Sequence, residues 1–160
     1  MADAKIVESL MDHFGRAWDM IIEAAKRFPA EQWFEAQDER MQPARIAVHI
    51  LMGAERYTWT ELPDDYVSRR KLAVDWIQAP AREFPSQQDA VVLLEAAKAK
   101  TLEWVRQYGP DRLVCDKPAW PWTGCSVLAQ ALYHLRHLQH HLAELNVELR
   151  RRGLAIVEWK

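Results

Sequence analysis

Long helix-period apolar runs, cut by proline and glycine, constrain this chain more than any other feature. Ile6, Leu10, Phe14, Ala17, Trp18, Ile21 and Ala25 recur at the three- and four-residue spacing of one helix face. That spacing predicts a first helix from about Asp3 to Phe28, closed by Pro29. A second helix starts at Pro43, a residue suited to a first helical position. It is expected to run through "ARIAVHILMGAERYTWTEL" to about Leu62, with Pro63 closing it and Asp64-Asp65 favouring a turn. A third follows Ser86, which with Asp89 resembles a weak capping box. It reaches Gly109-Pro110, read as a strong stop. A fourth runs from about Ser126 to Arg152, with Gly153 at the C-terminal cap position.

The connections read differently. "FPAEQWFEAQDERMQ" is expected to be a link with one helical turn, and "DRLVCDKPAWPWTGCS" a loop. Residues 66 to 85 are the least legible, with "YVSRRKLAVDWI" compatible with a short helix. The tail "LAIVEWK" is apolar enough to pack back. No β-alternation of any length and no internal repeat appears. Four long helices with substantial connections, in a chain of 160 residues, predict an all-α single domain built as a four-helix bundle.

Charge excludes some partners. With 21 basic and 23 acidic residues the surface lacks the basic excess that nucleic acid requires. Arg150, Arg151 and Arg152 fall at a helix C-terminus, where cations suit the macrodipole. No run approaches the roughly 20 apolar residues that span a bilayer, so no membrane role is expected. Nothing resembles a signal peptide, and Cys115 and Cys125 form no CxxC motif. A cytoplasmic protein with reduced thiols is the expectation.

Four of the six histidines crowd the last helix, in "LYHLRHLQHHLAEL". At 100° per residue from His134, Leu138, Leu142 and Leu145 share its apolar face. His141 at about 340° and His137 at about 300° lie along one edge, while His140 at about 240° points away. His137 and His141 are thus i and i+4, the spacing by which a helix offers two imidazoles to one cation. Surface histidines at that spacing are also common, so a third ligand from elsewhere is required. His49, beside the apolar face of the second helix, is the natural candidate. A hydrogen-bonded boundary histidine would look the same in sequence.

Other chemistries fit poorly. No histidine of the last helix completes the Glu-x-x-His pair of a di-iron bundle. HExxH, G-x-S-x-G and a Gly-rich phosphate loop are all missing. Cys125 as a nucleophile is only a guess beside a buried or loop thiol. His13 has no partner in the pattern.

In the order of its elements the chain resembles the DinB-like family of four-helix-bundle metalloproteins. The residues that carry this are "ARIAVHILMGAERY" with His49, a middle bundle helix, and "HLQHH" followed by "LAELNVELRRRG". The resemblance covers roughly Leu10 to Gly153. It implies a divalent metal, zinc or nickel, held by His49, His137 and His141 with open positions. It also implies a small-molecule substrate, a low-molecular-weight thiol as co-substrate in a transferase reaction, and a homodimer. Metal-dependent hydrolysis and a non-catalytic metal- or ligand-binding bundle remain the alternatives. Ala143-Glu144 stands where a Gly-Gln pair is common in the family. Glu144 then either accepts from a ligand imidazole or is a solvated charge. His134 is expected in the core or pocket wall. Arg45, one turn before His49, could meet an anionic group of a co-substrate or form a surface ion pair. Trp122, with Trp120, Thr123 and Trp59, could cover an apolar substrate or simply pack the bundle. No catalytic residue is assigned from sequence.

Overall fold

The computed structural model describes residues 2–61, 72 and 74–160. Among them are four α-helices and no strand: α1 (Ala2–Arg27), α2 (Pro43–Tyr57), α3 (Gln87–Cys115) and α4 (Val127–Arg151). Their order and caps follow from sequence. Ser86 Oγ accepts from Asp89 N, and also donates to the Asp89 carboxylate, so the expected capping pair forms through the two side chains. Ser126 caps α4 by accepting from Ala129 N. Arg152 is the C-cap of α4.

Directions can be read from paired residues. Lys26 meets Glu95, Asp19 meets Lys98, and Gln87 donates to Ala25 O, so α1 and α3 are antiparallel. His49 lies beside His137 and His141 while Tyr57 lies beside Tyr133, so α2 and α4 are antiparallel as well. Around the bundle the neighbours run α1, α3, α2, α4. Leu51 and Ala54 face Leu93 and Ala97 across one groove, which makes α2 and α3 parallel. Two parallel neighbours need a crossover along the full bundle, and this accounts for the long α2–α3 connection.

The predicted faces fill the core. Leu10, Phe14, Ala17, Trp18, Ile21 and Ala25 of α1 are buried, as are Leu138, Leu142 and Leu145 of α4. Each such leucine contributes about 2 kcal/mol on burial. The tail packs back: Val157 is buried and exchanges both backbone bonds with the Asn146 side chain.

Three expectations need correction. α2 ends at Tyr57 rather than near Leu62, with Thr58 as its C-cap. Gly109-Pro110 does break the helix as expected, but a second helical run follows at once, so α3 is two runs meeting at a kink. Gly109 takes φ 66°, which glycine tolerates, and Pro110 opens a further turn that runs to Cys115. Residues 111–115, expected in a loop, are therefore helical. The α1–α2 link holds two 3₁₀ turns, Ala30–Gln32 and Glu39–Met41, rather than one. The turn at Pro63–Asp65 and most of the possible helix over residues 66–77 lie outside the described residues. Residues 76–78 form a turn.

Candidate metal centre

The antiparallel contact of α2 and α4 brings three imidazoles from two helices to one point. One ligand nitrogen from each of His49, His137 and His141 lies within 4.8 Å of the others. His49 Nε2 and His137 Nε2 are 3.2 Å apart. Two nitrogens bound at about 2.0–2.1 Å to one tetrahedral cation would stand about 3.4 Å apart, so this pair already has the spacing of shared ligation. An N–H···N hydrogen bond between the two rings has the same length.

Gly53 makes this approach possible. It sits one turn after His49, against the His137 ring. A methyl at Gly53 would stand 3.0 Å from His137 Nδ1 and 3.2 Å from Nε2, and closer still to Cε1. Sequence reading placed Gly53 only on the buried side of its helix. The available signal was a glycine inside a helix, one turn from a candidate ligand.

The electrostatics favour neutral rings. Burial, followed by the nearby His141, pushes His49 down to about 4. Burial, then His141 and His49, pushes His137 to about 2. Neutral imidazoles carry the lone pair that a cation needs. Glu144 settles the tautomer of the third ring. Its Oε2 lies 2.6 Å from His141 Nδ1, and this hydrogen bond holds the carboxyl below its ordinary range despite burial. An ionised carboxylate only accepts, so Nδ1 is the His141 nitrogen that donates, and Nε2 is the one free of that contact. Glu144 Oε1 also lies 3.4 Å from His140 Nε2. The adjacent group of His140, His141 and Glu144 is thus joined by one hydrogen bond and one looser contact. His140 is exposed, as expected from its place on the helix.

Trp76 completes the wall. Its ring lies against His49 with centroids 3.9 Å apart. Arg45 holds it there. This arginine is buried and donates to Glu39 O, to Trp76 O and Ile77 O, and to Ala79 O, with its guanidinium over the Phe84 ring. Arg45 therefore neither faces a co-substrate nor forms a surface ion pair. It ties the chain near Trp76 to the start of α2. Trp76 itself gave no signal in sequence, because it falls in the least periodic stretch.

The remaining candidates separate. His134 is fully buried, between Phe14, Trp18 and Tyr57, and neither ring nitrogen has a partner. Burial pushes it to about 3. It is a core residue behind the triad. Trp122 is exposed, packs on Trp120 and lines neither cavity beside the triad, but its side chain hydrogen-bonds Tyr57, whose ring lies against His137. Trp59, stacked on Trp120, does reach a cavity of 60 Å³ beside His49 and His137. A second cavity, of 250 Å³, lies beside His49, His141 and Glu144. Cys115 and Cys125 are exposed, and neither lines either cavity. His13 is exposed on α1 beside Leu132 and Leu135 and lines neither cavity of the triad.

No protein-family model and no curated protein matches the chain. Among the described residues no helix is long and apolar enough to cross a membrane.

Proposed function

We propose that His49, His137 and His141 hold a divalent cation, zinc or nickel, in a metal-dependent transferase of the DinB-like kind that uses a low-molecular-weight thiol. The observation that carries this is the 3.2 Å approach of His49 Nε2 to His137 Nε2, with His141 as third donor from the next helical turn. The donor set fits a catalytic cation. Three imidazoles leave positions open, whereas a structural zinc site is closed by four protein ligands.

A bound cation would lower the pKa of a thiol that reaches an open position, making a thiolate available at neutral pH. The rest falls to the chain's own groups. Glu144 fixes the His141 ring so that Nε2 faces inward. Trp76 and Tyr57 restrict water at the two ends of His49. The Tyr57 hydroxyl, pushed up to about 12 by burial and by its Tyr133 neighbour, keeps its proton. In the transfer the sulfur forms a bond to an electrophilic carbon, the leaving group departs with the electron pair of the broken bond, and the thiol proton goes to solvent. The family resemblance also supports a homodimer, and the unpaired cysteines support a cytoplasmic location.

The test begins with elemental analysis of untagged protein that has never met a nickel column. About one zinc or nickel per chain is expected, lost in His137→Ala and His141→Ala. Thiol-dependent disappearance of an electrophile supports the transferase. Turnover with water alone would make the protein a hydrolase, and metal without either reaction a binding module.

A further inference from the structure

We infer that the centre receives two co-substrates through separate cavities on either side of His49, a zwitterionic one beside His141 and a short apolar one beside His137. This rests on the metal-centre reading and adds the substrate classes to it.

The two cavities follow the antiparallel helices. The larger lies toward Ile46 on α2 and toward His141 and Glu144 on α4. The smaller lies toward Met52, Gly53 and Tyr57 on α2 and toward His137 on α4. Ile46 and Gly53 are about 10 Å apart along the helix axis, so the two spaces are successive rather than superposed. His49 and Trp76 line both. Their rings, in contact and tilted at 39°, form the partition, and any cation on the triad would sit at its edge.

The linings differ in chemistry. In the 250 Å³ cavity stand Arg40, Asp38 and Glu144. The Arg40 guanidinium makes no ion pair or hydrogen bond to the described residues, while its backbone N–H is taken by Asp38 Oδ1. A guanidinium without a partner among the described residues, beside two carboxylates, matches a ligand that carries both a carboxylate and an ammonium group. The 60 Å³ cavity has Met52, Tyr57, Trp59 and Trp76 as apolar walls, with Glu55 and Arg56 as its charged members. By volume it has room for about four water molecules, enough for a short aliphatic or similarly small reacting group and too little for a ring. A reaction of one substrate with water needs only one of these spaces, whereas two substrates meeting at one cation need both.

The experiment uses untagged zinc-loaded protein, with L-homocysteine as the zwitterionic probe and ethanethiol as the short apolar one, each followed by calorimetry. Zinc content is measured before and after. Both probes are expected to bind together, each with its affinity nearly unchanged when the other is saturating. Arg40→Glu should weaken L-homocysteine by about tenfold and spare ethanethiol. Met52→Trp should weaken ethanethiol by about tenfold and spare L-homocysteine, and Met52→Ala should instead admit the longer 1-butanethiol. Competition between the probes on fully loaded protein, or equal weakening of both by each variant, would overturn the two-sided reading and leave the metal centre standing. Failure of the chain to take up zinc, seen before any thiol is added, would overturn the metal centre itself and this inference with it.

Discussion

Gly53→Ala is the sharpest test of the triad, because it adds one methyl group and alters no ligand. That methyl would sit 3.0 Å from His137 Nδ1 and 3.2 Å from Nε2, where about 3.5–4.0 Å is comfortable. The His137 ring is the part that can yield, and it must move by on the order of 1 Å. Metal ligation tolerates about 0.2 Å, so Nε2 leaves its place opposite His49. Disturbing even the partner of a ligand lowers metal affinity about 10- to 100-fold, and displacing the ligand itself should do at least as much.

The fold should survive. Alanine is better than glycine in a helix interior by about 1 kcal/mol, and the local overpacking costs about 1–3 kcal/mol. The net change in the metal-free protein is then on the order of 1 kcal/mol, a shift in Tm of about 2–4 °C. Gly15→Ala is the control, since a methyl there meets nothing within 4 Å. It should raise Tm of the metal-free protein and leave zinc binding alone. The assay is competition for zinc against a chromophoric chelator, run beside thermal unfolding of the metal-free chain. Wild-type zinc affinity in Gly53→Ala, with the fold intact, would refute His137 as a ligand.

Three further outcomes follow from the same geometry. Glu144→Ala should lower zinc affinity about 10- to 100-fold with little effect on metal-free stability, read by the same competition. Arg45→Met strips donors from four backbone carbonyls and should destabilise the fold by about 3 kcal/mol in urea unfolding, with Arg45→Lys a poor rescue because an ammonium lacks the planar reach. His134→Phe removes two buried unpartnered nitrogens and should raise metal-free stability by about 1 kcal/mol at pH 7. That variant also changes the pH dependence. The folded ring sits at about 3 against an ordinary 6.5, so between these values the unfolded chain binds the extra proton and stability falls as pH drops. The slope from this ring is at most about 1.4 kcal/mol per pH unit, complete near pH 3, and His134→Phe should lose it. An unchanged slope between pH 6.5 and 5 would show that His134 is not the buried neutral ring described.

The fold and the grouping of His49, His137 and His141 were legible in sequence for the same reason. Both are written in helical periodicity, which states face and order without knowledge of the partner helix. Leu138, Leu142 and Leu145 identify the inward side of α4, and His137 and His141 are then necessarily at its edge. The same geometry misled where a local rule met a competing one. Gly109-Pro110 reads as a stop, yet a glycine at positive φ followed by a proline at a first helical position lets the helix resume. α2 stops at Tyr57, before Pro63, at a place that no proline or glycine marks in the sequence.

What sequence could not express is contact between segments without a shared period. Arg45 illustrates this. Its position one turn before His49 suggests a pocket residue, but its donors go to carbonyls of residues 39, 76, 77 and 79. Only a buried guanidinium can satisfy that many carbonyls in one irregular stretch, so its burial and the path of the chain around Trp76 require each other. Trp76 in turn fixes the plane of His49. The position of a ligand on α2 thus depends on a connection some thirty residues further along the chain. Zinc affinity should consequently fall in Arg45→Met even though Arg45 touches no ligand. It should recover little with Arg45→Lys, which keeps the charge but not the fan of donors. If zinc affinity instead held while the fold loosened, His49 would be oriented by α2 alone, and Trp76 would be a cover and not a support.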